Sequence, residues 1–131
     1  MTHWQAATDG LLAPLLQQER FGVITDFDGV LSPIVDDPAA STIVPESKAA
    51  LVAMQPRLAL LAVVSGRGAA DIHRMTGIEA AVYVGNHGME RWVDGEVVTP
   101  SEVAAYRPNL ERVMAALEPR LVDGMQIEDK G

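Results

Sequence analysis

Apolar positions in this chain gather into short dense runs separated by glycine, proline and acidic residues. Phe21-Gly-Val-Ile-Thr-Asp26 is compact, aromatic and β-branched, which favours a buried strand over a helix. Leu58 to Val64 and Ala81 to Val84 read as a second and a third strand. Between the first two, Pro45-Glu46-Ser47 opens a helix that runs through Met54, with proline tolerated in its first turn. Between the second and third, Ser65-Gly-Arg-Gly68 turns the chain into a helix over Ala69 to Met75, and Gly77 is placed to end it. The order βαβαβ predicts an α/β fold with a parallel sheet and right-handed crossovers. Upstream, residues 8 to 18 read as a short amphipathic helix, with Thr8 as a cap and Pro14 marking a bend or a later start.

The texture changes after Gly85. Arg91-Trp-Val-Asp-Gly-Glu-Val-Val98 places an Asp-Gly turn between two β-prone runs and predicts a hairpin. Residues 101 to 118 are helical in pattern, with Pro108 as an interruption or new start; Val122-Asp-Gly124 is a turn, and Met125 to Asp129 reads as a further short strand. A boundary is expected between Pro100 and Pro108, dividing the chain into an α/β unit over 1–103 and the start of a second module over 104–131.

Composition narrows the functional classes. With 131 residues, 48% of them apolar and 21% charged, the chain is long enough for one domain with its own core. A formal charge of −8 argues against a nucleic-acid backbone as partner. An anionic small molecule would need local compensation from a cation or a few placed Arg and Lys residues. There is no cysteine, so any metal must be held by oxygen or imidazole. The apolar stretches are too short to span a bilayer, and the N-terminus lacks the charged and apolar segments of a leader, so the expectation is a cytoplasmic protein without membrane contact.

Asp26 and Asp28, one residue apart at the end of a buried strand, can face one ligand because strand side chains alternate. The C-terminal edge of a parallel sheet is where open α/β folds bind ligands. Gly29 allows a sharp turn and brings a bare amide close to an anion. Alone, this motif also fits an acidic loop capping a strand; a calcium loop would need further oxygen ligands and flanking helices. At the end of the next strand, Ser65, Gly66 and Arg67 combine a hydroxyl, loop amides and a guanidinium able to grip an anion or a carboxylate with two donors. Alone, that triplet reads as a turn and helix start.

Together, Val23-Ile-Thr-Asp-Phe-Asp-Gly-Val-Leu-Ser-Pro33 and Val64-Ser-Gly-Arg67 resemble the first and second motifs of haloacid dehalogenase (HAD) phosphatases. Tyr83-Val-Gly-Asn-His-Gly-Met-Glu90 and Ile127-Glu-Asp-Lys-Gly131 are similar to segments of trehalose-6-phosphate phosphatases. The resemblance implies half of a Rossmann-like HAD core followed by an incomplete α+β cap. It implies hydrolysis of a sugar phosphate, first of all trehalose 6-phosphate, with Asp26 as nucleophile forming an aspartyl-phosphate and Asp28 as acid/base. Mg2+ would be held by the Asp26 carboxylate and the Asp28 backbone carbonyl. Gly29, Ser65, Gly66 and Arg67 would bind phosphate; Asn86, His87, Glu90, Glu128 and Lys130 would line the substrate site. His3 and His73 read as surface residues, Asp36 and Asp37 as loop caps, and Trp92 as hairpin packing.

The family also requires a later lysine and a later acidic pair, and neither matches a segment here. The expectation is therefore a chain that holds part of the site, with a non-catalytic phosphosugar-binding or regulatory module as the alternative. The first strand is apolar on both faces, as a central parallel strand should be, yet in the strand order that the resemblance implies its available parallel neighbours would all lie on one side. Self-association through that uncovered edge is a further expectation.

Overall fold

The apolar runs form the strands β1 (Phe21–Thr25), β2 (Leu58–Val64) and β3 (Val82–Gly85), all parallel and adjacent in that order. In this computed structural model, residues 7–10 and 12–129 are described. The predicted hairpin forms as β4 (Glu90–Val93) and β5 (Glu96–Val98), and it joins the same sheet antiparallel to β3. Its two-residue turn, Asp94 and Gly95, has positive φ at both positions (51° and 89°), the backbone twist that matches paired strands.

The crossovers are α2 (Pro45–Met54), opened by its proline, and α3 (Ala69–Thr76). Gly77 ends α3 in the left-handed conformation at φ 60°, donating its amide to the His73 carbonyl at 2.7 Å. Both crossovers step the same way across the sheet, so right-handed connections put α2 and α3 on one face. The core lies there: Leu51 from α2, Ile72 and Met75 from α3, and Phe27, Leu61, Val63 and Tyr83 from the sheet side are buried. The opposite parity is left open, with Ile24 68%, Leu60 40% and Val82 42% exposed. Among the described residues β1 is an edge strand, with its parallel neighbours on one side as expected.

Three expectations are corrected. The helix expected over residues 8 to 18 shortens to α1 (Ala13–Leu16), with no buried residue: residues 8–10 form a turn, and Pro14, which has no N–H to give to a preceding turn, stands where the helix starts. Met125 to Asp129 form no strand: a strand exists by pairing, and this segment meets no sheet edge. His73 is not a plain surface residue, since its ring stacks on Trp92 (centroids 4.9 Å, 21°) and meets Tyr83 edge-on at 5.3 Å. Trp92 therefore packs, as its place in the hairpin suggested. His3 lies outside the described residues.

The segment over 101–118 breaks into α4 (Ser101–Ala104) and α5 (Arg107–Leu117), and Pro108 stands in the first turn of the second, where its missing N–H costs nothing. Neither buries a residue. No helix among the described residues is long and apolar enough to cross a membrane.

Candidate functional site

Where β1 ends, Phe27 turns fully into the core and sends its neighbours Asp26 and Asp28 the other way. Asp26 is exposed, and its Oδ1 accepts the Phe27 amide at 2.7 Å. Gly29 carries φ 76° and donates its amide to the Ser32 carbonyl at 2.8 Å, closing the turn that follows. In the same loop Asp37 caps the short turn Pro38–Ala40, its Oδ1 accepting the Ala39 amide at 2.9 Å, as a loop cap should.

Where β2 ends, Ser65 is buried and its Oγ accepts the Arg67 amide at 3.2 Å, which leaves the hydroxyl proton to give. Arg67 then reaches back to the first turn. Its Nε and Nη2 donate to the two carboxylate oxygens of Asp28, each at 2.8 Å, while Nη1 donates to the Pro38 carbonyl at 2.6 Å. The guanidinium also lies 5.8 Å above the Phe27 ring. The fork expected of Arg67 is thus present, closed on a carboxylate.

The Arg67 hydrogen bonds hold the Asp28 carboxyl below the usual carboxylate range, against partial desolvation that pushes it up; Asp28 in turn raises the guanidinium. A lowered folded pKa contributes stability that is complete above the ordinary aspartate value and is lost as pH falls through the folded one. Asp28 is 38% exposed, so solvent screens the pair and its worth is below about 1 kcal/mol. Urea unfolding measured from about pH 6 down to about pH 2 should show Asp28→Asn losing less stability with acid than the parent chain. Parallel curves would mean that the pair contributes nothing to folding.

The end of β3 closes over the Ser65–Gly68 turn. Asn86 and His87 both adopt left-handed backbone (φ 50° and 55°), and their amides donate to the carbonyls of Arg67 at 2.8 Å and Ser65 at 3.1 Å. The His87 ring lies over Gly66, where an added Cβ would come within 2.6 Å of its Cε1. Glu90 is buried, with Oε2 accepting the Ala69 amide at 2.9 Å and Oε1 accepting from Asn86 Nδ2 at 3.4 Å. At Gly85 a Cβ would sit 2.2 Å from the Ala69 nitrogen and 2.7 Å from the Arg67 carbonyl oxygen, both rigid backbone atoms. Gly85→Ala should therefore push the two turns apart and cost at least about 3 kcal/mol of stability, read as a lowered urea midpoint. An unchanged midpoint would show that the turns are not fixed against each other.

A third wall comes from the far end of the chain. Arg107 at the start of α5 donates to Glu111 at 2.9 Å and to both carboxylate oxygens of Asp129 at 2.7 and 2.5 Å, and these bonds, Asp129 first, push its pKa further up. The fork fixes the 128–129 segment beside the turns. A cleft of about 270 Å³ is lined by Asp28, Pro38, Gly66, Arg67, His87 and Glu128. An adjoining one of about 180 Å³ is lined by Gly66, Arg67, Gly68, Asp71, Glu128 and Asp129. Residues up to 100 apart in sequence thus meet in one place. Asp26, Gly29, Ser65, Asn86 and Glu90 lie outside the lining of both clefts, the last three of them buried, and Lys130 lies outside the described residues.

Pro38, Ser41, Asp71 and Arg107 were not singled out from the sequence. Ser41 also helps to lower the Asp28 carboxyl. Only the Asp37-Pro38 turn chemistry gave a local hint of this loop; the rest depends on contacts across the fold.

Among the described residues, no cluster of three or more His, Asp or Glu side chains could hold a metal. The exposed Asp26 carboxylate uses one oxygen for the Phe27 amide, and the Asp28 carbonyl stands two residues on. That pair of hard oxygens fits Mg2+, which takes one or two carboxylates and completes its shell with water and phosphate.

The family description Trehalose-phosphatase matches residues 24–131. The chain is 38% identical over 125 residues to a trehalose-phosphate phosphatase of Mycobacterium ulcerans, covering 93% of this chain and 30% of that protein. It is 37% identical over 129 residues to the same enzyme of Mycobacterium avium, covering 96% and 32%. The chain thus spans about a third of the length of these curated relatives. Among solved structures, it is similar to the C-terminal domain of C. albicans trehalose-6-phosphate phosphatase (24% identity, TM-score 0.69, 92% of this chain and 43% of that one). It also resembles a trehalose-6-phosphate phosphatase related protein (20% identity, TM-score 0.66, 83% and 48%). At those identities the structural likeness establishes the fold.

Proposed function

This chain belongs to the trehalose-phosphatase family, and from that premise we propose that it carries the nucleophile side of a magnesium-dependent sugar-phosphate phosphatase, with trehalose 6-phosphate as its substrate. The observation that carries the reading is the meeting of two strand-end turns, Asp26 to Gly29 and Ser65 to Gly68, joined by the Arg67 fork on Asp28 beside a polar cleft.

In this reading an Asp26 carboxylate oxygen attacks phosphorus, the bond from phosphorus to the sugar oxygen breaks, and that oxygen takes the Asp28 proton as it leaves. Asp28 then accepts a proton from the water that attacks the aspartyl-phosphate, releasing inorganic phosphate and restoring Asp26. Gly29 lets the first turn approach the phosphate, the Ser65 hydroxyl and the Gly66 amide receive its oxygens, and the entering anion competes with Asp28 for Arg67. That competition frees Asp28 to carry its proton. His87 and Glu128, which line the cleft, meet the sugar side. Mg2+, held by Asp26 and the Asp28 carbonyl, would supply positive charge against two anions brought together. The edge of β1 that no other described strand pairs is assigned to self-association, since a free strand edge accepts another strand.

One observation favours a second reading: the fork occupies both Asp28 oxygens, the arrangement of a site that binds phosphosugar without turnover. Phosphate release from trehalose 6-phosphate, measured with and without magnesium, separates them. Magnesium-dependent release is expected; binding without release would support the module, and neither binding nor release would sink both.

A further inference from the structure

We propose that Glu90 and Asn86 are positioning residues that hold the Ser65–Gly68 turn in its phosphate-receiving shape from behind, without touching the substrate. The proposal rests on the phosphatase reading for its consequence and on the geometry of the two turns for its substance. Helix α3 starts at Ala69 behind Gly68, a residue with no side chain to cap it, and no local side chain takes that role. The orphan amide of Ala69 is satisfied instead by Glu90, 21 residues away. Glu90 and Asn86 are only 7% and 9% exposed, and the Glu90 carboxyl is already engaged at both oxygens within the protein.

The fastening is periodic along the turn. The 86–90 segment binds the Ser65 carbonyl through the His87 amide, the Arg67 carbonyl through the Asn86 amide, and the Ala69 amide through Glu90. Every second residue is tied backward. The amides between them, at Gly66 and Gly68, have no hydrogen-bond partner among the described residues, and both glycines line the clefts. Holding one set of backbone groups fixes the direction of the other. The left-handed backbone of Asn86 and His87 is the strain that such a fastening imposes.

The test uses amide hydrogen exchange on this chain together with titration by inorganic phosphate, a probe without any sugar. In Glu90→Met, which keeps volume but removes both acceptors, exchange at the Ala69 amide should rise about tenfold while core amides such as Val63 stay protected. Glu90→Gln, which keeps one acceptor, should stay near the parent. Asn86→Gly keeps the left-handed backbone and removes the side chain that steadies Glu90, so a rise of about threefold is expected; it carries the same test should the Met variant fail to fold. Phosphate affinity should fall about tenfold in the Met variant and recover in the Gln variant. Loss confined to trehalose 6-phosphate, with phosphate binding intact, would make Glu90 a sugar contact and overturn the proposal. So would unchanged exchange at Ala69. Parent chain that binds no phosphate would instead sink the phosphatase reading, and exchange at Ala69 would still decide whether Glu90 holds the turn.

Discussion

Asp26→Asn is expected to reduce magnesium-dependent phosphate release by about ten-thousandfold, or about 5.5 kcal/mol of transition-state stabilisation. An amide is too weak a nucleophile to displace the sugar oxygen, and without the carboxylate no aspartyl-phosphate forms. The substitution should leave the fold intact, because Asp26 is exposed and the amide oxygen of Asn can still accept the Phe27 amide that Oδ1 accepts now at 2.7 Å. The measurement pairs phosphate release with a thermal melt of both proteins. A variant that melts with its parent and releases nothing supports the assignment, whereas equal release would remove Asp26 from the chemistry.

Tyr83→Ala should be the most damaging change to the fold. Tyr83 is fully buried at the centre of the sheet. Its hydroxyl donates to the Ile78 carbonyl at 2.8 Å and accepts the Ile78 amide at 3.2 Å, while His73 meets its ring edge-on. Truncation removes that packing, opens a cavity and strands both Ile78 groups, a loss of about 3–5 kcal/mol. Total stabilities run at about 5–15 kcal/mol, so a melting point lower by about 10–20 °C is expected. Tyr83→Phe keeps the ring and should cost about 1–3 kcal/mol for the stranded pair alone. Burial pushes the phenol above its ordinary value of 10.0. A raised folded pKa gives stability that is complete below the ordinary value and is lost as pH rises through the folded one, so parent and Phe variant should converge in alkali. Equal melting of all three proteins would place Tyr83 outside the core.

The three parallel strands, both crossover helices and the Asp94-Gly95 hairpin were legible because each is set by local chemistry: β-branched runs, a proline at a helix start, a glycine at a helix end. The two turns that carry Asp26, Asp28, Ser65 and Arg67 were legible for the same reason. Met125 to Asp129 shows where that logic stops, since an apolar alternation without a partner strand stays extended chain. His73 shows it too: one imidazole in a helix carries no sign that Trp92 will stack on it.

What the sequence determined by itself, then, is the order of the core strands and crossover helices, the family, and the two turns that carry Asp26, Asp28, Ser65 and Arg67, all written in contiguous residues. What only the tertiary structure decided is how those turns are held. The Arg67 fork closes on Asp28 39 residues away, Glu90 caps a helix begun 21 residues earlier, and Arg107 pins Asp129 across 22. Such pairs follow from sheet register and from the one-sided crossovers that bring strand ends together, and register is a property of the packed chain, which no stretch of the sequence contains.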